Sequence, residues 1–176
     1  MEAHVNSSVE RRESVMTGKY RYRHAEAALA SVFGVEPDEL GAFRGRLRHL
    51  RNIGVPDIPK PGSGRQIEYS RQSIIEMMLA LEFEAMGVAP RYAARYAKQY
   101  IKEFAPDPDH PARFDMILVT NPHPFRFPWA VISAQSTSTW REWLLTKEVL
   151  PNRFAIVNVA QSVAVLDDAL RSISAC

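Results

Sequence analysis

"AFRGRLRHLRNIGVP", Ala42 to Pro56, carries four arginines and a histidine without a single acid, and apolar residues punctuate it at helical intervals. Taken from Leu40, the apolar positions Leu40, Phe43, Leu47, Leu50 and Ile53 are spaced 3, 4, 3 and 3, which predicts a helix from about Asp38 to Asn52 buried along one stripe. Pro37 suits its first turn and the acids Asp38 and Glu39 its positive end. Gly54 and Pro56 stop it. With the apolar stripe turned inward, Arg44, Arg48 and Arg51 read as the opposite surface, flanked by Arg46 and His49. Two readings are open for such a run. It is either a solvated face, or a surface whose guanidiniums bond phosphate or pair bidentately with guanine.

The surroundings of this helix bear on the choice. Residues 41–71 hold seven Arg or Lys against two acids, a balance of +5, whereas residues 105–176 hold six against seven, a balance of −1. The basic charge is thus gathered in one segment of a chain whose net charge is only +2, and an anionic partner feels the local concentration. Upstream, "HAEAALASVFG" reads as a short helix with Ala25, Ala28, Leu29, Val32 and Phe33 on one side and Gly34 as its C-cap. "KYRYRH", Lys19 to His24, is open to three readings: a short strand, a basic arm or part of a solvated leader. Downstream, "DIPKPGSGRQIEYS" has the glycines of a hairpin tip and an alternating run to Tyr69. Ser70 is expected to cap a third helix, Arg71 to Met86, ended by Gly87, and a fourth follows Pro90.

Helix, turn, basic helix, Gly-tipped hairpin and helix, in that order, predict a winged helix-turn-helix with the basic helix in a major groove. Lys60 and Arg65 would then reach neighbouring phosphates from the wing. Tyr69 and Arg71 at its foot complete the expected DNA-binding set of Arg44, Arg46, Arg48, His49, Arg51, Lys60 and Arg65. The stretch "ALASVFGVEPDELGAFRGRLRHLRNIGVPDIPKPGSGRQIEYSRQSIIEMMLALEFEAMGVAP" resembles the DNA-binding half of MerR-type transcription regulators. The likeness covers about residues 25–104. "ALASVFGV" matches the first helix, "LRHLRNIGV" the recognition helix, "GSGRQIEYS" the wing and "IIEMMLALEFEAMGV" the helix after it. The resemblance implies DNA contacts from Arg48 and His49 and a backbone grip by Arg65. The chain departs from the family in about five extra residues between Val35 and Leu47, in His49 and Leu50 at the usual paired tyrosines, and in lacking the long coiled coil.

"APDPDHPARF" marks a composition shift. Beyond it "FDMILVT", "WAVIS" and "RFAIVNVA" read as strands, "STWREWLLTKEVL" as a helix and "QSVAVLDDALRSI" as a last amphipathic helix. The expected fold class is therefore α+β: residues 1–18 a mobile leader, 19–104 a winged helix-turn-helix, and 105–176 a small mixed α/β domain for dimerisation or effector sensing. Val163, Leu166, Leu170 and Ile173 fit a homodimer interface and an internal core equally. Trp129, Trp140 and Trp143 fit core or a small-molecule effector pocket.

Other classes find little support. His110, His123, Asp109, Asp115, Ser133, Ser136 and Ser138 cluster in sequence, but no nucleophile elbow, metalloprotease helix or phosphate loop accompanies them. We expect no enzyme, no cofactor and no metal. No apolar run approaches the ~20 residues of a membrane span, and Cys176 is the only cysteine, so the expectation is a cytoplasmic protein with double-stranded DNA as partner. A winged-helix module for protein interaction or assembly, with Glu76, Glu82 and Glu84 offsetting the basic face, is the alternative.

Overall fold

The computed structural model describes residues 19–58, 67–104, 116–120, 130–135 and 154–174. Among them the chain is mostly helical, with five helices, a two-stranded antiparallel sheet and a three-stranded one. It divides into two compact units, Met1–Met77 with Ala164–Cys176, and Met78–Val163. The division falls inside two helices, not at the 104/105 boundary suggested by composition.

In the first unit, β1 (Lys19–Arg21) pairs antiparallel with β2 (Glu68–Ser70), Tyr20 opposite Tyr69. Both strands alternate exposed, buried, exposed, so the two tyrosines enter the core while Lys19 and Glu68 form an exposed ion pair at 3.0 Å. "KYRYRH" is thus a strand running directly into a helix. That helix, α1 (Tyr22–Val32), buries Ala25, Ala28 and Leu29. It is followed by α2 (Leu40–Asn52), which buries Phe43, Leu47 and Leu50, and the Phe33 and Phe43 rings meet at 6.3 Å across the intervening turn. The Glu39 carboxylate accepts the Glu36 N–H at 3.1 Å in the turn before the helix. However, α2 begins at Leu40 and not at Asp38, its N-cap Glu39 makes no side-chain cap bond, and its first turn holds no acid.

Both helices end in the same way. Gly34 and Gly54 hold φ of 58° and 86°, values a side chain would resist. The following amides fold back: Val35 N–H donates to Ala30 at 2.9 Å and Val55 N–H to Leu50 at 2.9 Å, with Gly34 and Gly54 donating to Ser31 and Arg51. These are Schellman closures, which satisfy orphan carbonyls and turn the chain sharply.

Ser70 begins α3 (Arg71–Ala85) by accepting the Ser73 N–H at 3.1 Å, the N-cap expected of it. Every residue from Ile74 to Leu81 is buried. A helix apolar all round is a core helix. Also in this unit, Arg71 donates from Nε and Nη2 to Oδ1 and Oδ2 of Asp167 at 2.7 and 2.8 Å. Asp167 lies on the later half of the last helix, α5 (Val159–Ser174), whose Leu166 and Leu170 are fully buried.

The second unit contains the end of α3, which closes at Gly87 with Val88 N–H donating to Phe83 at 3.0 Å. It also contains α4 (Pro90–Phe104), which buries Ala93, Ala94, Ala97, Tyr100 and Ile101. Phe83 and Tyr96 meet edge to face at 6.2 Å. The sheet has β3 (Met116–Thr120) between β4 (Ala130–Gln135) and β5 (Phe154–Asn158), all antiparallel, with a register shift at Leu118/Val119. Asn158 caps α5 by accepting the Gln161 N–H, and Ser162 donates to Glu82 at 3.1 Å. The helix expected over "STWREWLLTKEVL", the three tryptophans and the cluster from Asp109 to Asp115, His123, Ser136 and Ser138 lie outside the described residues. No helix among the described residues is long and apolar enough to cross a membrane.

The forked Arg71–Asp167 pair fastens the end of the chain to a residue 96 positions earlier. Its contribution is measurable by a double-mutant cycle with Arg71→Ala and Asp167→Ala. Each single change should cost about 1.5–3 kcal/mol in urea unfolding, and the double mutant less than their sum. Additive losses would show the pair uncoupled.

Candidate nucleic-acid interface

The three buried residues of α2 fix its rotation. At about 100° per residue, Arg44 and Arg51 then fall on one flank of the helix, about a quarter-turn from the buried line, with Arg48 further out on the same side, about 130° from it, while Arg46 and His49 fall on the other side. The expectation that the arginines stand opposite the core is corrected for Arg44 and Arg51, while Arg48 lies near the outer side. The outermost line belongs to Gly41, Gly45 and Asn52, all exposed. A Cβ placed on either glycine meets nothing within 4 Å, so neither is required by packing inside the chain.

The five cations differ in their engagements. Arg44 is paired with Glu26 of α1 at 2.7 Å, and the Glu26 side chain is only 13 % exposed. Arg51 lies over the Tyr22 ring, 5.2 Å from its centre, a cation–π contact. Both therefore hold the α1-facing flank in place. Arg46, Arg48 and His49 are exposed and have no hydrogen-bond or ion-pair partner among the described residues. These three are the groups available to a partner. They stand on both sides of the glycine ridge, and α2 carries no acid.

Several residues of the expected set are placed differently or not described. Tyr69 is 1 % exposed, because the alternation of β2 turns it into the core. Arg71 is held in its fork with Asp167. Neither presents a group outward. Lys60 and Arg65 lie outside the described residues. Leu166 and Leu170, offered as a dimer interface, are buried within the chain, while Val163 and Ile173 are half-buried. Glu76 is buried and accepts the Asp57 N–H at 3.3 Å, and Glu82 accepts from Ser162. Glu76 and Glu82 are thus used internally.

The expected DNA-binding set left out Arg21 and Arg23, offered only as part of a basic arm, which stand exposed beside Arg51 and Tyr22. Their signal was the alternation in "KYRYRH". In the second unit, α4 also exposes Arg91, Arg95 and Lys102, a basic face legible in the spacing of "PRYAARYAKQYIKEF". Among the described residues no group of three His, Cys, Asp or Glu gathers to hold a metal ion. No protein-family model matches the chain, and no curated protein matches it in sequence.

Burial raises the phenol pKa of Tyr22, with the Glu26 charge adding to the rise and Arg51 opposing it. Burial likewise raises Tyr69, against a lowering by Arg51. Both remain neutral hydrogen-bond donors at physiological pH. The folded state holds these protons more tightly than the unfolded chain, so their stabilising effect is complete below about pH 10 and is lost as pH climbs through the raised values. Urea midpoints should fall between about pH 9 and pH 11, and fall less for Tyr69→Phe than for wild type. Equal falls would mean that Tyr69 ionises alike in both states.

Proposed function

We propose that the protein is a sequence-specific, double-stranded DNA-binding transcription regulator that presents α2 to the major groove. The observation that carries this reading is the outer surface of α2, where Arg46, Arg48 and His49 have no hydrogen-bond or ion-pair partner among the described residues and flank a ridge of Gly41 and Gly45. A groove floor approaching that ridge would meet backbone instead of side chains, and phosphates on either wall would meet cations. The short α1, its Schellman turn and the β1–β2 pair leading into α3 are compatible with a winged helix-turn-helix of MerR type, in which the segment between α2 and β2 would be the wing. Lys60 and Arg65 would act there on the backbone. One such helix reads few base pairs, so the reading includes a homodimer on two half-sites.

The engagements on α2 separate its arginines. On a selected duplex, Arg48→Ala should lose about 1–3 kcal/mol of binding, roughly ten- to hundredfold in Kd. Arg44→Ala should lose much less, because Arg44 already answers Glu26. Gly45→Ala should act in opposite directions on two readouts. It should stabilise the free protein by about 0.5–1 kcal/mol and weaken duplex binding roughly tenfold, about 1.4 kcal/mol. If Arg48→Ala and Gly45→Ala both bound the duplex like wild type, α2 would not be the contact surface.

A further inference from the structure

We propose that a cleft beside α2, lined by Arg21, Tyr22, Arg23, Arg51, Ile67 and Tyr69, is a binding site for a phosphate group. The cleft encloses about 300 Å³, at the lower end of the size of small-ligand sites. It is bounded by β1, the first turn of α1, the last turn of α2 and the residue leading into β2, all within the first unit.

Three arginines line the cleft, and among the described residues no carboxylate does. The nearest acids in sequence are already committed, Glu26 to Arg44 at 2.7 Å and Glu68 to Lys19 at 3.0 Å. Among the described residues no acid pairs with Arg21, Arg23 or Arg51. Gathering like charges in a concave, partly apolar space focuses their field. Glu68 stands across the strands from Arg21 and the Glu26 charge is felt at Tyr22, but both carboxylates are bonded to other cations and only partly relieve it. An external anion completes the relief.

The choice among anions follows from geometry. Arginine forks match the oxygens of phosphate, and three of them suit a group with three or four oxygens better than a two-oxygen carboxylate. The arginines are also partly oriented beforehand. Arg51 rests on the Tyr22 ring, that ring lies 6.2 Å from Tyr69, and Arg23 Nε donates to His24 Nε2 at 3.1 Å. At neutral pH the half-buried Tyr22 phenol is a donor and not a repelling phenolate, while Tyr69, 1 % exposed, contributes only wall. The N-cap Arg21 makes no side-chain cap bond, so the first amides of α1 add partial positive charge to the same place. Ile67 and the two rings supply an apolar wall beside the charge, which fits a sugar or base attached to the phosphate. The phosphate has two sources, a DNA strand running past the end of α2 or a free phosphorylated compound; the first rests on the DNA-binding reading and the second does not.

Arginine Nε–H resonances of the full chain, followed while inorganic phosphate replaces chloride at fixed ionic strength, test the site directly. The expected result is a saturable shift at Arg21, Arg23 and Arg51 with Arg46 and Arg48 unmoved. Arg21→Gln/Arg23→Gln, its amide spectrum otherwise native, should weaken phosphate binding at least about tenfold. No saturable shift at these three arginines overturns the proposal, whatever the duplex result. With the site present, duplex titrations of the same variant separate the sources. A log–log salt slope flattened by about 0.9 per lost contact assigns the cleft to the DNA backbone, and an unchanged slope assigns it to a free phosphate compound. Phosphate binding without any duplex binding would keep the cleft and remove the DNA reading.

Discussion

Burial of Phe43, Leu47 and Leu50 sets the rotation of α2 about its own axis, and every statement about its charged surface depends on that rotation. Leu47 and Leu50 are fully buried, each contributing about 1.5–3 kcal/mol. A turn of the helix by one residue would exchange these leucines for arginine or histidine. The same constraint directs Arg44 to Glu26 and Arg51 to Tyr22, and it leaves Arg46, Arg48 and His49 to solvent. The Schellman turns at Gly34 and Gly54 act with it, since they fix where α2 begins and where the chain leaves it.

Against this seating, the outer side of α2 is poorly chosen for folding alone. Gly45 in the helix interior forfeits about 0.8–1 kcal/mol relative to alanine, and no neighbouring atom needs the space it leaves. Arg44 and Arg48, four residues apart, repel by about 0.2–0.5 kcal/mol. The core leucines outweigh these costs, so the helix forms, but the costs have no return within the described chain. His49 and Arg51 in the last turn do complement the negative helix end, which accounts for part of the basic character. Arg46 and Arg48 receive no such explanation. They fit the proposed partner, which is anionic and approaches the helix closely.

Much of the local architecture was legible. The glycine stops, the Ser70 cap, the stripe from Phe43 to Leu50 and the strands at Met116–Thr120, Ala130–Gln135 and Phe154–Asn158 all rest on short-range rules of capping and periodicity. What escaped depends on distant partners. Arg71 looks like any basic residue at a helix start, because nothing in its neighbourhood announces Asp167. Leu166 and Leu170 show a buried face without showing whether the cover is the same chain or another. Tyr69 was placed outward because a three-residue strand is too short to reveal which face is inner, and pairing with β1 decides it. The arginine stripe was read as facing away from the core; the contacts of Arg44 with Glu26 and of Arg51 with Tyr22 turn two of its members toward α1.

The most direct test of the central claim, that the exposed cations of α2 meet nucleic-acid phosphates, is the salt dependence of wild-type binding to a labelled random duplex between about 50 and 200 mM salt. The account predicts binding at the lower concentration and a steep linear fall of log affinity with log salt, reflecting the release of several counterions. No binding at the lower concentration, or affinity indifferent to salt, would contradict it and leave the basic helix as a solvated face.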